Sequence, residues 1–318
     1  MGFELILPFL RPIEHLILDD GISEIMVNGS GRIFIERSGD LTAVPEARLT
    51  EKNLQVAVRN IARALGDEIS EQQPLLDSRL PDGSRVAAVI PPCSLGGTTL
   101  TIRKFQSKQF TAEELVRIGS LTGDVLELLR TSIGNRLNIL ISGGTGTGKT
   151  TLLNALAHSI PDMERIILIE DTAEIQLYKP NLVRFEARRQ QPDLPAVTIR
   201  DLVRASLRHR PDRILLGEVR GGEAFDLLQA LNTGHSGSLS TIHANSAQQA
   251  IARLTSCVLQ AGVELPYTAI RSNIADAVQL LLHIERRQGR RQAAELLRIE
   301  RYEPTQDHYV LTGLYRRT

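Results

Sequence analysis

The chain contains no tryptophan and two cysteines, Cys93 and Cys257, among its 318 residues. Two thiols cannot build a four-ligand zinc module, and they do not make the disulfide framework of a small secreted domain. Both read as small core residues of a protein in a reducing compartment. A net charge is missing too, since Lys plus Arg and Asp plus Glu each total 37. Such a balance lacks the general positive field of a protein that lives on nucleic acid, so no direct nucleic-acid binding is expected. Nowhere do 18 apolar residues run uninterrupted, which excludes a membrane-spanning helix. The opening MGFELILPFLRPIEHLILDDGI breaks its apolar patches with Glu4, Pro8, Arg11 and Pro12 and has no basic region before a clean apolar run, so it is a poor signal peptide. These absences predict a cytoplasmic protein that reaches a membrane only at its periphery. Repeats, heptads and low-complexity tracts are also absent.

What is present centres on GGTGTGKTTLLNAL, residues 143 to 156. A short apolar run, NILIS (138 to 142), precedes it, and apolar residues at helical spacing follow it. Strand, G-x-x-x-x-G-K-[ST] and helix in that order form a phosphate-binding loop. Glycines at 143, 144, 146 and 148 let successive backbone N–H groups converge on an anion at a helix N-terminus. Lys149 then reaches the β- and γ-phosphates as a point charge, and the Thr150 hydroxyl is a ligand for Mg²⁺. The expected nucleotide-binding set is Gly143, Gly144, Thr145, Gly146, Thr147, Gly148, Lys149, Thr150 and Thr151. A guanine-reading N-K-x-D stretch is absent, since NIAD (273 to 276) lacks the lysine, so the expected ligands are ATP and Mg²⁺.

Three further strand ends carry polar residues. ILIEDTAEIQL (167 to 177) gathers Glu170, Asp171 and Glu174 at the carboxyl edge of a strand, where open α/β sheets bind ligands. RPDRILLGEVRGGEA (210 to 224) ends its apolar run in Gly217 and Glu218, and LSTIHANS (239 to 246) ends in His243. A carboxylate beside the loop can orient a water in line with the γ-phosphate. Glu218 is the first candidate and Glu174 the second. Many P-loop ATPases hold Mg²⁺ with an Asp where this chain has Gly217, so the metal is expected to lean on Thr150, phosphate oxygens and waters, with an acid of the EDTAE stretch as further support.

The chain divides into an α+β domain over 1–105, a linker over 106–121 and an α/β domain over 122–318. In the first part EIMVNGSGRIFIE (24 to 36) predicts a hairpin, and Thr50 is the N-cap of a helix from Glu51 to about Leu65. Strands are expected at 85–92 and 98–105. The second part alternates strands at 138–142, 165–170, 182–186, 212–217 and 238–242 with helical patterns, which implies a mainly parallel sheet covered on both faces.

The ordered set GGTGTGKTT, IEDTAE, RPDRILLGEVRGGEA and NTGHSGSLSTIHANS resembles the Walker A, Asp-box, Walker B and His-box series of the secretion ATPase superfamily. LPDGSRVAAVIPP (80 to 92) and TIRKF (101 to 105) carry the likeness into the first part. It looks closest to the CpaF-like ATPases of tight-adherence pili, with the TrbB-like conjugal-transfer ATPases next. The resemblance implies a RecA-like P-loop NTPase C-terminal domain behind a smaller PAS-like α+β domain. It implies a homo-hexamer that drives pilus assembly or secretion through an inner-membrane platform protein, with conjugal DNA transfer as the alternative. It assigns catalysis to Glu218, Glu174, Lys149, His243 and Arg103. Arg85, Arg220 and Arg210 are further candidates for phosphate or neighbouring-subunit contact, because a guanidinium fork matches phosphate oxygens.

Rival functions fit less well. A small-molecule kinase needs a second substrate pocket, and a nucleotide-gated scaffold would not need Lys149, Thr150, Glu174, Glu218 and His243 together. A DNA translocase would use a basic face, and Arg200, Arg204 and Arg208 share one at i, i+4 spacing on the helix after Thr198. Such a face more often meets solvent or another subunit. The apolar residues from Leu5 to Leu10 are expected in a first-helix core rather than at a docking surface.

Overall fold

The computed structural model describes residues 3–317 apart from 38, 48, 106–109, 189 and 191–193, with only the backbone of residue 30. The chain forms two compact units, Met1–Lys108 and Gln109–Thr318.

The first unit opens with 3₁₀ turns between Phe3 and Ile13. The helix expected there is confined to α1 (Glu14–Leu18), because Pro8 and Pro12 lack the N–H groups that a longer helix would need. Ile6 and Leu10 are fully buried while Leu5 is 42% exposed, so most of the apolar opening is core. Strands β1 (Ile22–Asn28), β2 (Arg32–Arg37) and β3 (Asp40–Ala43) lead to α2 (Glu51–Ala64), and β4 (Leu75–Arg79), β5 (Arg85–Val89) and β6 (Thr99–Arg103) complete the unit. Among the described residues the sheet has six strands in the order β3-β2-β1-β6-β5-β4, all paired antiparallel. The Thr50 hydroxyl accepts the Asn53 N–H at 3.3 Å, which starts α2 as a side-chain N-cap should. Leu54, Ala57, Val58 and Ile61 then fall on one face and are buried against the sheet.

The second unit runs α3 (Ala112–Arg117), α4 (Gly123–Gly134), β7 (Ile139–Gly143), α5 (Lys149–Ala157), β8 (Ile166–Glu170), β9 (Leu182–Glu186), α6 (Ile199–Ser206) and β10 (Arg213–Val219). It continues with α7 (Glu223–Asn232), β11 (Leu239–His243), α8 (Ala247–Leu259), α9 (Tyr267–Ala277), β12 (Leu280–Arg287), β13 (Arg290–Glu303) and β14 (His308–Arg316). Among the described residues its sheet has eight strands, ordered β14-β13-β12-β7-β11-β10-β8-β9. The pairs from β12 to β9 are parallel, and β12, β13 and β14 close the other edge antiparallel. Successive side chains alternate between two cores. In β7, Ile139 and Ile141 join the cluster holding α4 and α5, whereas Leu140 joins the one holding α7, α8 and α9. Burial on both faces explains why β7 and β8 read as continuous apolar runs.

The segment taken as linker, 106–121, departs from that expectation. Residues 106–109 lie outside the described ones, but Thr111 and Glu114 close a reciprocal capping box at the start of α3. Ala112 and Leu115 are buried in the second unit's core, so that body begins before residue 122. Strand β12 was not expected either, although its LLLHI run pairs with β7 over Leu280–Ile284. No helix among the described residues is long and apolar enough to cross a membrane.

Candidate active site

The carboxyl ends of β7, β8, β10 and β11 meet at one edge of the second sheet. The parallel register sets His243 opposite Gly143, so the end of β11 flanks the glycine-rich loop. Gly143 has to be glycine, since a Cβ there would lie 2.5 Å from the Ile284 carbonyl oxygen and 2.6 Å from Thr147 Oγ1. The Thr147 hydroxyl donates to the Gly144 carbonyl at 2.9 Å and ties the loop to itself. Gly148 is the N-cap of α5 with a left-handed φ of 92°, and it offers the first-turn N–H groups no side chain. Thr150 and Thr151 are half-buried in that turn and Thr145 and Gly146 are exposed. An uncapped helix N-terminus of this kind is an anion site.

Lys149 is 7% exposed. Its Nζ donates to the carbonyls of Gly143 and Gly144 at 3.0 and 2.9 Å and lies 3.4 Å from His243 Nδ1. Burial lowers its pKa, with Glu218 pulling the other way, so the site holds a cation that lacks full compensation. Glu218 Oε2 accepts from Arg220 Nη2 at 2.8 Å. Glu218 Oε1 lies 3.0 Å from His243 Nε2 without hydrogen-bond alignment, and it is a buried oxygen with no hydrogen-bond partner. Burial, followed by the Lys149 charge, lowers the His243 pKa below its ordinary 6.5, which favours the neutral ring.

The three acids after β8 divide. Glu170 is 3% exposed and turned inward, accepting the backbone N–H groups of Glu174 and Ile175 at 2.8 Å each and Arg184 Nη2 at 3.3 Å. Burial raises its pKa despite these bonds. Its role is to hold the loop that carries Glu174. A Cβ on Gly217 would come within 3.2 Å of Glu170 Cγ, so the bare position on β10 makes room for that side chain. Asp171 accepts from Arg220 Nη1 at 3.2 Å, and Glu174 adds to the acidic field around Arg220. Arg220 is thus engaged by acids of this edge.

The other arginines belong to other elements. Arg103 and Arg85 are cross-strand partners on β6 and β5 of the first unit. Arg103 is exposed and also faces Glu24 across β1. Arg210 is exposed with φ 52°, just after a 3₁₀ turn. The expected stripe of Arg200, Arg204 and Arg208 is corrected by the fold. Arg200 Nε and Arg204 Nε both bind the carboxylate of Asp226 on α7, at 2.6 and 2.7 Å, and the helix stops at Ser206 before Arg208. Helical spacing showed their shared face but not the buried acid that it meets. Sequence reasoning also missed His283 on β12, which is 6% exposed and 3.0 Å through Nδ1 from the Ser142 hydroxyl just before the loop. No local pattern signalled it, because the contact depends on β12 pairing with β7.

The residues fit a nucleotide's phosphates. Backbone N–H groups and a buried ammonium stand at one sheet edge, the Thr150 hydroxyl stands in the first helical turn, and one buried carboxylate oxygen has no hydrogen bond. Thr150 would hold Mg²⁺ there, and among the described residues no cluster of His, Cys, Asp and Glu forms a metal site of its own.

Residues 9–306 match the family model described as type II/IV secretion system protein. The chain is 38% identical over 298 residues to the conjugal transfer protein TrbB of Rhizobium radiobacter, covering 92% of this chain and 88% of that one. Among solved structures it is 33% identical to the VirB11 ATPase from the Brucella suis type IV secretion system, crystallised with sulphate, over 92% of this chain and 96% of that chain, with a TM-score of 0.50. The Legionella pneumophila ATPase DotB superposes with a TM-score of 0.64 at 20% identity over 91% of this chain and 79% of that one, a likeness of fold.

Proposed function

The chain belongs to the type II/IV secretion system protein family, and from that premise we propose that it is the ATP-hydrolysing motor of such a machine. The observation that carries this reading is Glu218 Oε1, a buried oxygen without a hydrogen bond, 3.0 Å from His243 Nε2 and within the field of the Lys149 ammonium at the phosphate loop. A buried carboxylate oxygen without a hydrogen bond is costly to maintain, and a water molecule oriented for attack supplies the missing donor. Lys149 exchanges its two carbonyl bonds for phosphate oxygens and neutralises charge that develops on them. His243, held neutral between Lys149 and Glu218, links the state of the phosphate end to that of the general base. Arg220 leaves or keeps its acids according to what fills the edge, and Glu174 is the second acid within its field. Mg²⁺ held by Thr150 would add charge neutralisation at the β- and γ-phosphates.

In this reading the loop residues 143–151 bind ATP, Arg103 is the catalytic arginine, and Arg85 is a further candidate for phosphate contact. Residues 1–105 are a PAS-like domain joined to a RecA-like motor, and movement on the 106–111 connection converts hydrolysis into work. Six copies form the ring, which works at the cytoplasmic side of the inner membrane against a platform protein of a pilus or secretion machine. A second reading, conjugal DNA transfer, is favoured by the TrbB relative, whose likeness extends over 88% of its own length.

Glu218→Gln tests the motor reading. It keeps the shape and removes the base, so ATP affinity should persist while kcat falls about 100-fold or more, the range for loss of a general base. Phosphate release and nucleotide binding measured on one preparation decide it, and turnover at the wild-type rate would sink the assignment.

A further inference from the structure

Strands β12 and β13 meet in a turn at Gln288 and Gly289, whose φ values of 51° and 78° both lie in the left-handed region. A two-residue turn with both central residues left-handed fixes the register of a hairpin. That register sets Arg286 opposite Arg291 and Arg287 opposite Arg290. Like charges directly opposed across strands are destabilising, and here two such pairs occupy consecutive rungs. The nearby acids are already engaged, with Glu285 accepting from Gln292 at 3.4 Å and Glu295 paired with Arg316 at 3.6 Å. Among the described residues no carboxylate is within ion-pair distance of Arg287, Arg290 or Arg291. Those three arginines therefore hold positive charge with no carboxylate at ion-pair distance among the described residues.

Directly opposed residues share a face of the hairpin, and Arg291 is the one of the four that approaches the phosphate loop. The aliphatic stem of Arg291 passes 3.5 Å (Cδ) from where a Cβ of Gly148 would stand. Its backbone is anchored, since the Ser120 hydroxyl donates to the Arg291 carbonyl at 2.8 Å. The sheet order decides which side of the loop this is. β12 lies on one side of β7, whereas β11 and β10, bearing His243 and Glu218, lie on the other. Glu218 marks the side where water attacks, so Arg291 stands on the side of the leaving diphosphate.

We propose that Arg291 is a nucleotide-binding residue that holds the nucleoside diphosphate, contacting its phosphates from the side opposite Glu218. The inference rests on the reading of this edge as an ATP site. A guanidinium there strengthens binding of ADP as well as ATP, because the diphosphate is common to both, and it slows product release. Arg287 and Arg290, on the far face, take no part.

The experiment titrates a fluorescent ADP derivative into the full-length protein and its Arg291→Ala, Arg291→Lys, Arg287→Ala and Lys149→Ala variants, with thermal melts to confirm that each is folded. Arg291→Ala should weaken ADP binding about tenfold or more and raise the KM for ATP in parallel, the scale of one charge-assisted hydrogen bond. Arg291→Lys should recover part of the loss, and Arg287→Ala should stay within about twofold because its charge is exposed and screened. Unchanged ADP affinity in Arg291→Ala, with Lys149→Ala severely weakened, overturns this proposal and leaves the ATP site standing. An equal loss in Arg287→Ala also overturns it, since the effect would then belong to the hairpin's field and not to a contact. Unchanged binding in Lys149→Ala instead removes the ATP site on which the proposal stands.

Discussion

Strand β10 carries charged residues at both ends, and the two ends treat them in opposite ways. At its start Arg213 is fully buried, with Nε and Nη2 donating to Glu164, the latter at 3.2 Å, and Nη1 donating to the Gly237 carbonyl at 3.2 Å. The guanidinium beside Glu164 holds that carboxyl below its ordinary range. At the other end Glu218 has one oxygen bound by Arg220 and the other buried without a hydrogen bond, next to a lysine whose charge burial disfavours. The same strand thus has one end whose charges satisfy each other and one whose charges await something else. Charge that is closed on itself serves the fold, and charge left open marks where a ligand completes the set. Asp226, shared by Arg200 and Arg204, belongs to the closed kind.

The comparison breaks most visibly at the open end. Lys149→Ala should lower ATP hydrolysis by about 100-fold or more, the scale of losing a preorganised charge at the reacting phosphate. Its melting temperature should hold or rise, because the fold no longer keeps a disfavoured buried ammonium. A fall in melting temperature with turnover retained would place Lys149 among the structural charges. The closed end should behave inversely. Arg213→Ala leaves Glu164 with Arg136 alone, at 3.3 Å, and empties a fully buried position, so it should cost about 3–5 kcal/mol of stability, read by urea titration, while the folded fraction keeps its turnover. The pair Arg213→Met with Glu164→Leu should recover much of that loss, since it removes both charges together.

The smallest effect is a pH dependence. His243 and His283 have pKa values lowered from 6.5, chiefly by burial, so the folded state favours their neutral forms. Stability from this source is full above about 6.5 and is lost as pH falls through the lowered folded values. Lys149 adds to the lowering at His283, while Glu285 and Glu295 oppose it. Urea midpoints measured on either side of that range should fall on the acid side, and His283→Gln should flatten the decline. A midpoint that rises on acidification would show that the histidines gain stability from protonation, contrary to their burial.

Much of this edge was legible because its signals are local. The glycine-rich turn, the apolar strand before it and the helix after it lie within 138–157, and their geometry follows from steric freedom and hydrogen bonds between near neighbours. Thr50 as N-cap and the buried face of α2 were legible for the same reason. The start of the second body was not, because QSKQFT (106 to 111) is mostly polar and aperiodic and reads as linker, although its last residue, Thr111, opens the capping box. Prolines cut the expected first helix into turns, a local effect outweighed in the sequence by the surrounding apolar residues.

From the sequence alone came the phosphate loop, the alternation of strands with helices, and the family likeness carried by its ordered motifs, since each depends on residues a few positions apart. Tertiary structure decided which charges are closed and which are open. It set β12 beside β7, turned Glu170 inward, joined Arg200 and Arg204 to Asp226, and brought Arg291 over Gly148. Those contacts link residues separated by long stretches of chain. They follow from sheet order and from burial on both faces of the sheet, which no local spacing records.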